Sequence, residues 1–152
     1  MSNWVLGIDT SNYTTSSALV QDGAVRENRK KLLPVKQGEK GLRQSDAVFH
    51  HVRQLPEVLG PILENLDEPP KAIGVSLTPT TEKDSYMPCF LVGKNTAGLL
   101  GKAWGVPVEG FSHQQGHIAA ALYSAGKLEL LEKEFLAFRV SGGTTDALLV
   151  KP

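Results

Sequence analysis

The chain has 152 residues, enough for one domain around one apolar core. Its 16 Lys and Arg balance 16 Asp and Glu, which excludes the global basic field that marks many nucleic-acid binders. The single cysteine, Cys89, excludes an internal disulfide and fits a reducing cytosol. No charged-then-apolar leader precedes the apolar run at residues 5–8, and no run approaches membrane-spanning length, so the expectation is a soluble, cytoplasmic chain that does not enter a membrane.

Residues 4–9 are a short apolar run ending in Asp9, which suits a buried strand with a carboxylate at its tip. A hydroxyl-rich turn follows at residues 10–15, then a second strand at 16–20. Gln21-Asp22-Gly23 is a hairpin turn into a third strand at 24–33, so the opening is an antiparallel meander. The first turn admits two readings. Its hydroxyls and backbone N–H groups can hold a phosphate while Asp9 holds the accompanying cation through water. It can equally be an ordinary Ser/Thr turn. The basic cluster at residues 26–36 is interrupted by Glu27 and Leu32-Leu33-Pro34 and reads as a solvated strand rather than an RNA patch. Residues 38–43 form a polar, Gly-punctuated loop suited to contacting a ligand. From Ser45, a candidate N-cap, apolar residues recur at helical spacing to Leu66, and Pro56 and Pro61 predict a kink or a split. His50 and His51 are adjacent and point apart, which favours core or surface histidines over a metal site.

Asp67-Glu68-Pro69-Pro70 ends the helix, and residues 72–77 read as another buried strand. The polar loop at 78–88 then sits at a strand end, where open α/β sheets place ligands. Residues 89–104 predict a helix whose Gly93, Gly98 and Gly101 are spaced for close packing, and 105–108 a short strand. Ser112 with Gln115 three residues on forms a capping-box pattern, so a helix is expected from Ser112 to about Ala125, capped by Gly126. On it His113 and His117 are four apart, which stacks their imidazoles on one face. The pair can chelate a zinc- or iron-type ion given a third ligand, or can sit on a solvated helix face. Residues 135–140 and 147–150 are strands joined by the turn Ser141-Gly142-Gly143-Thr144-Thr145, either an anion-binding nest or a plain hairpin turn. This hairpin repeats the arrangement at residues 4–20 and reads as the opening of a second lobe.

Together LGIDTSNYTT, HHVRQLP, LVGKNTAGLLGKAWGVPV, HQQGH and VSGGTTDALLV resemble the N-terminal half of the tRNA threonylcarbamoyladenosine transferase family, formerly the O-sialoglycoprotein endopeptidases or glycoproteases. The HxxGH element combined with the SGG turn carries the specificity of the match. The resemblance implies an α/β lobe of the actin/Hsp70/sugar-kinase-like, ribonuclease H-like ATPase fold. That lobe has a mixed sheet with an antiparallel meander and flanking helices. It implies an N-terminal lobe over residues 1–126 and the first hairpin of a second lobe over 127–152. It also implies that His113 and His117 bind a divalent metal, iron or zinc, with a third ligand outside this stretch. The metal in turn holds ATP or a threonylcarbamoyl-adenylate, near Asp9, Thr10, Ser11, Ser141, Gly142, Gly143 and Thr144.

The activity implied is transferase chemistry in tRNA modification, with an adenine nucleotide and tRNA as partners of the intact protein. Three departures bear on it. The family carries acids where this chain has Tyr13 and Thr14. Its SGGHT histidine is Thr144 here. Its short Gly-Pro-Gly loop is replaced by the longer run at residues 78–84. Losing the acids removes the obvious general acid/base groups, so no residue is assigned to catalysis. A second expectation is a non-catalytic paralogue that forms a homodimer, or pairs with a related chain, through N-terminal-lobe helices, with residues 45–66 as the candidate face. A metallopeptidase, as the older family name suggests, is poorly matched. Gln114 stands where the HExxH base would be.

Overall fold

The computed structural model describes residues 3–11, 13–35, 41–140 and 145–152. The backbone falls into two compact units, residues 1–113 and residues 114–152.

The first unit grows from the period-two burial of its opening strands. In β1 (Trp4–Thr10) Leu6, Ile8 and Thr10 are buried, and in β2 (Thr14–Gln21) Thr15, Ser17 and Leu19 are. Antiparallel pairing sets Leu6 opposite Leu19, Ile8 opposite Ser17 and Thr10 opposite Thr15, so all six point to one face. Asp22 and Gly23 take φ values of 51° and 79°, both left-handed, as a tight hairpin requires, and lead into β3 (Ala24–Leu32) at the sheet edge. β4 (Ala72–Thr78) lies parallel to β1, and β5 (Val108–Ser112) lies parallel to β4. The strand order is β3-β2-β1-β4-β5.

Helices α1 (Gln44–Glu64) and α2 (Phe90–Trp104) cover the same face. The cross-strand partners Thr10 and Thr15 show this, because the hydroxyl of Thr10 bonds to α2 and its N-cap residue while that of Thr15 bonds to α1. Between helices and sheet, Leu6, Ile8, Leu19, Ile73 and Val75 pack against Leu55, Leu59 and Ile62 of α1 and Ala97 of α2. Each large aliphatic side chain buried there stabilises the fold by about 1.5–3 kcal/mol.

Three details differ from the sequence expectations. The N-cap of α1 is Arg43, and no side chain caps it, so Ser45 lies inside the first turn. Pro56 and Pro61 sit within an unbroken 21-residue helix. The apolar face formed by Leu55, Val58, Leu59 and Ile62 stays buried across both missing N–H groups, and that packing holds the helix together. The strand expected at 105–108 runs instead over Val108–Ser112. Gly105 ends α2 in the left-handed region at φ 67°, and the Pro107 carbonyl only then accepts from the N–H of Ile73.

The second unit contains α3 (His113–Ala125), which starts at the unit boundary, then a 3₁₀ turn at Leu128–Glu132 and the hairpin β6 (Phe135–Val140) and β7 (Thr145–Val150). Gly126, at φ 68°, closes α3 as expected. Its N–H reaches the Tyr123 carbonyl at 3.1 Å and the Lys127 N–H reaches Leu122 at 2.8 Å, the two bonds of a Schellman motif. The contact boundary at residue 113 precedes the expected lobe boundary at 126.

The glycines of α2 generate a paired prediction. A Cβ at Gly101 would collide with the Val108 side chain, whereas one at Gly98 meets nothing within 4 Å. Gly101→Ala should therefore destabilise by about 1–3 kcal/mol. Gly98→Ala should stabilise by about 0.5–1 kcal/mol through helix propensity alone. Urea denaturation of both variants checks the pair.

Candidate functional site

The C-terminal ends of the three parallel strands carry Asp9, Ser76 and Ser112, with His113 directly after β5. Parallel pairing of β1, β4 and β5 brings those ends to one edge of the sheet. There the Asp9 carboxylate accepts three hydrogen bonds. The backbone N–H of Ser11 donates to Oδ1 at 2.8 Å, and the Ser76 hydroxyl donates to Oδ2 at 2.5 Å. Nδ1 of His113 lies 2.8 Å from the same Oδ2. An ionised carboxylate has no proton to give, so His113 carries its hydrogen on Nδ1, and the ring's lone pair in the neutral form is on Nε2. The Phe90 ring stands 6.5 Å from the imidazole, centroid to centroid, and flanks it. Burial pushes the Asp9 carboxyl up, but the bonds from His113, Ser76 and Ser11 outweigh it and leave it below the ordinary carboxylate value.

Thr10 lies beside this cluster but faces inward. Its hydroxyl donates to the Cys89 carbonyl at 2.9 Å and accepts from the Gly93 N–H at 3.0 Å, tying β1 to the start of α2. A Cβ at Gly93 would come within 3.0 Å of that hydroxyl oxygen, which is why this turn of helix needs glycine. Cys89 is buried, its thiol is pushed up to about 11 by burial, and it stays protonated and unreactive at neutral pH.

Behind the first turn lies a second polar chain. His51, with no exposed surface, places Nε2 at 2.6 Å from the Ser11 carbonyl and Nδ1 at 2.8 Å from the Thr15 hydroxyl. Gln54 places Oε1 at 3.1 Å from that hydroxyl and donates from Nε2 to the Leu32 carbonyl at 3.1 Å. Burial drives the His51 pKa below its ordinary value, against the opposing pull of the Ser11 carbonyl and of Asp9.

Of the residues singled out from sequence, the structure brings together Asp9, Ser11 and His113, with Thr10 adjoining. His117 follows four residues later on α3, is exposed, and belongs to the second unit. Ser141, Gly142, Gly143 and Thr144 lie outside the described residues. Thr15 belongs to the hydroxyl-rich turn singled out from sequence, whereas Ser76, His51 and Gln54 were not anticipated as part of the site. Hints existed: Ser76 interrupts an apolar strand two residues before its end, and His51 and Gln54 interrupt an apolar helical stripe. As metal donors the residues fit in part. Asp9 orients the His113 ring and leaves Nε2 as the donor atom, the arrangement usual behind a ligating histidine. Among the described residues, no group of three or more His, Cys, Asp or Glu side chains could hold an ion.

This lobe has the actin/Hsp70/sugar-kinase-like, ribonuclease H-like fold. The chain aligns over its whole length with two Pseudomonas aeruginosa structures, an uncharacterised protein with similarity to peptidase YeaZ and YeaZ itself. The TM-scores are 0.58 and 0.55, at 16% and 15% identity, each over 68% of the other chain. In sequence the chain resembles the tRNA N6-adenosine threonylcarbamoyltransferases. It is 30% identical to the one from Geotalea uraniireducens over 154 residues and 32% identical to the one from Thermomicrobium roseum over 152. Each alignment covers 97% of this chain and 42% or 41% of the relative. The chain thus spans about two fifths of the length of these curated relatives. No family model matches it.

The depressed His51 pKa sets a pH dependence of stability. In the unfolded chain the ring titrates near its ordinary value of about 6.5, and in the native protein lower, so between the two the unfolded state binds the extra proton. Stability is therefore complete above about pH 6.5 and falls on acidification, by at most about 1.4 kcal/mol per pH unit from this group. Melting the native chain and His51→Gln from pH 7.5 to 5.5 checks this, and the variant should show the shallower decline.

Proposed function

We propose that this chain is the nucleotide-side lobe of a metalloprotein similar to the tRNA N6-adenosine threonylcarbamoyltransferases, with residues 127–152 supplying the first hairpin of a second lobe. The observation that carries the proposal is the Asp9–His113 bond at the C-terminal edge of the parallel strands, which fixes the tautomer and aim of His113. His113 and His117, one turn apart on α3, would supply two nitrogen donors to a divalent iron or zinc ion. A third donor would come from outside the described residues. A metal held there would act as an electrophile toward phosphate and carbonyl oxygens. ATP or a threonylcarbamoyl-adenylate would lie against Asp9, Thr10 and Ser11; Ser141, Gly142, Gly143 and Thr144, expected from sequence to share it, lie outside the described residues. In the intact protein the acceptor would be N6 of adenosine in tRNA, which implies a cytoplasmic setting.

This chain's own contribution is to bind and orient rather than to transfer protons. Tyr13 and Thr14 occupy the turn where the family carries acids, and the Asp9 carboxylate is committed to three protein donors. Thr10 acts as a strut between β1 and α2. In the intact protein, replacing both His113 and His117 by Ala should remove a bound metal ion. Asp9→Ala should weaken metal affinity by about 10–100-fold while leaving both ligands in place. Metal content of the purified variants decides, and unchanged content in the double variant would sink the assignment.

A second reading, a dimerising non-catalytic paralogue, is favoured by one surface. Between α1 and α2 runs an apolar groove of about 360 Å³ lined by Val52, Pro56, Gly60, Leu63, Val92 and Thr96. Phe49 and Leu99, which extend these two stripes at helical spacing, are 55% and 71% exposed. A continuous apolar surface on two adjacent helices suits a second copy of this chain or a related one. Under this reading sedimentation gives a dimer that Val52→Glu converts to monomer. A native chain that stays monomeric at high concentration counts against it.

A further inference from the structure

The proposed ligand site depends on the position of Ser11, and Ser11 is held from both sides of its backbone. Its N–H donates to Asp9, and its carbonyl oxygen lies 2.6 Å from Nε2 of His51. A carbonyl can only accept, so the His51 hydrogen is on Nε2. The other ring nitrogen, Nδ1, then offers only a lone pair, and it shares the single proton of the Thr15 hydroxyl, 2.8 Å away, with Gln54 Oε1 at 3.1 Å. Gln54 completes the brace, because its amide N–H reaches the carbonyl of Leu32 at the end of β3. One buried imidazole on α1 therefore grips both ends of the β1–β2 turn, Ser11 on the β1 side and Thr15 on the β2 side.

The grip extends to the metal-facing ring. Asp9 accepts from Ser11 on one oxygen and from His113 on the other. A continuous chain thus runs from His51 through the Ser11 peptide and the Asp9 carboxylate to Nδ1 of His113, crossing α1, β1 and the end of β5 within the first unit. Without His51, the Ser11 carbonyl would lose the donor that ties it to α1.

We propose that His51 is the positioning residue of this site: by holding the Ser11 carbonyl through Nε2–H and taking the Thr15 hydroxyl on Nδ1, it sets the orientation of Asp9 and hence the tautomer of His113. The inference deepens the ligand-site reading above and rests on it for its functional meaning, but its structural content is measurable in the unliganded chain. His51 touches neither metal nor nucleotide. It acts through Ser11.

The test uses long-range proton–nitrogen NMR of the imidazoles in the full 152-residue chain, with zinc titration as the ligand probe. In the native protein His51 should show its hydrogen on Nε2 and His113 on Nδ1. His51→Leu fills the ring's volume without the donor. It should remain folded, shift the Ser11 amide signal, cost His113 its single Nδ1–H form, and weaken zinc binding by about tenfold. His51→Gln, whose amide N–H can reach the place of Nε2, should restore the Ser11 amide and most of the zinc affinity. A hydrogen on Nδ1 of His51 in the native protein overturns the proposal, as does a folded His51→Leu with Ser11 and His113 signals unchanged. If His51→Leu does not fold, the native spectrum and Thr15→Val decide. That variant should move the His51 ring signals while keeping the Ser11 amide in place, and a Ser11 amide displaced while the ring is unmoved overturns it. If the native chain binds no zinc while the tautomers are as stated, the metal reading fails and the positioning role stands.

Discussion

A carboxylate at the end of a buried strand must be satisfied or expelled, and Asp9 is satisfied by three donors drawn from three parts of the chain. Ser11 supplies a backbone N–H from the following turn, Ser76 a hydroxyl from β4, and His113 a ring nitrogen from the start of α3. The bonds from Ser76 and His113 depend on the parallel β1–β4–β5 arrangement, which brings the strand ends to one edge. The carboxylate in turn fixes what each partner can do. It removes rotational freedom from Ser76, anchors the first peptide of the turn, and settles which nitrogen of His113 is basic. Leaving such a group unpaired in a partly buried position would cost far more than a surface ion pair yields. The contrast with Lys31 and Glu57 is direct. Their 2.6 Å contact is fully solvated and adds little to stability.

The fold places this cluster by a division of labour between the two faces of β1. Leu6, Ile8 and Thr10 point toward the helices, and the intervening Asp9 points away from them, so the period-two rule that builds the core also frees the acid for the edge. Thr10 then couples the faces. It sits at the last inward position of β1, and its hydroxyl joins the strand to α2 where Gly93 leaves room for it. A residue whose hydroxyl looks like a ligand contact in sequence thus works as a joint.

Much of this was legible in the sequence because it rests on local rules. The meander followed from apolar runs and the Asp-Gly turn, the two covering helices from 3.6-residue periodicity, and the Gly126 cap from its place after the last apolar position. Asp9 was recognisable as an acid at a strand tip, and His113 from its spacing to His117. Long-range partnership was not legible. The bonds of Asp9 to Ser76 and His113 span 67 and 104 residues, and no periodicity encodes them. His51 was expected as a core or surface histidine and is a core one, but its partners were hidden for the same reason. Adjacency to His50 showed that the two rings diverge, but not that one would meet the first turn 40 residues upstream. The split offered by Pro56 and Pro61 does not occur, because propensity there was weighed without the burial of Leu55, Val58, Leu59 and Ile62 beside them.

The cluster also separates two properties that the family resemblance joins. Holding a metal or nucleotide requires oriented donors, and the Asp9–His113 bond, backed by Ser11 and His51, provides orientation without any reactive proton. Transferring an acyl-type group requires in addition a base within reach of the acceptor. Asp9 does not substitute for that base. Three donors already occupy it, and its depressed pKa makes it a weak proton acceptor at neutral pH. A carboxylate can orient a histidine or abstract a proton, and the geometry that suits it to the first task disqualifies it from the second. The cluster as built therefore orients His113 rather than moving a proton.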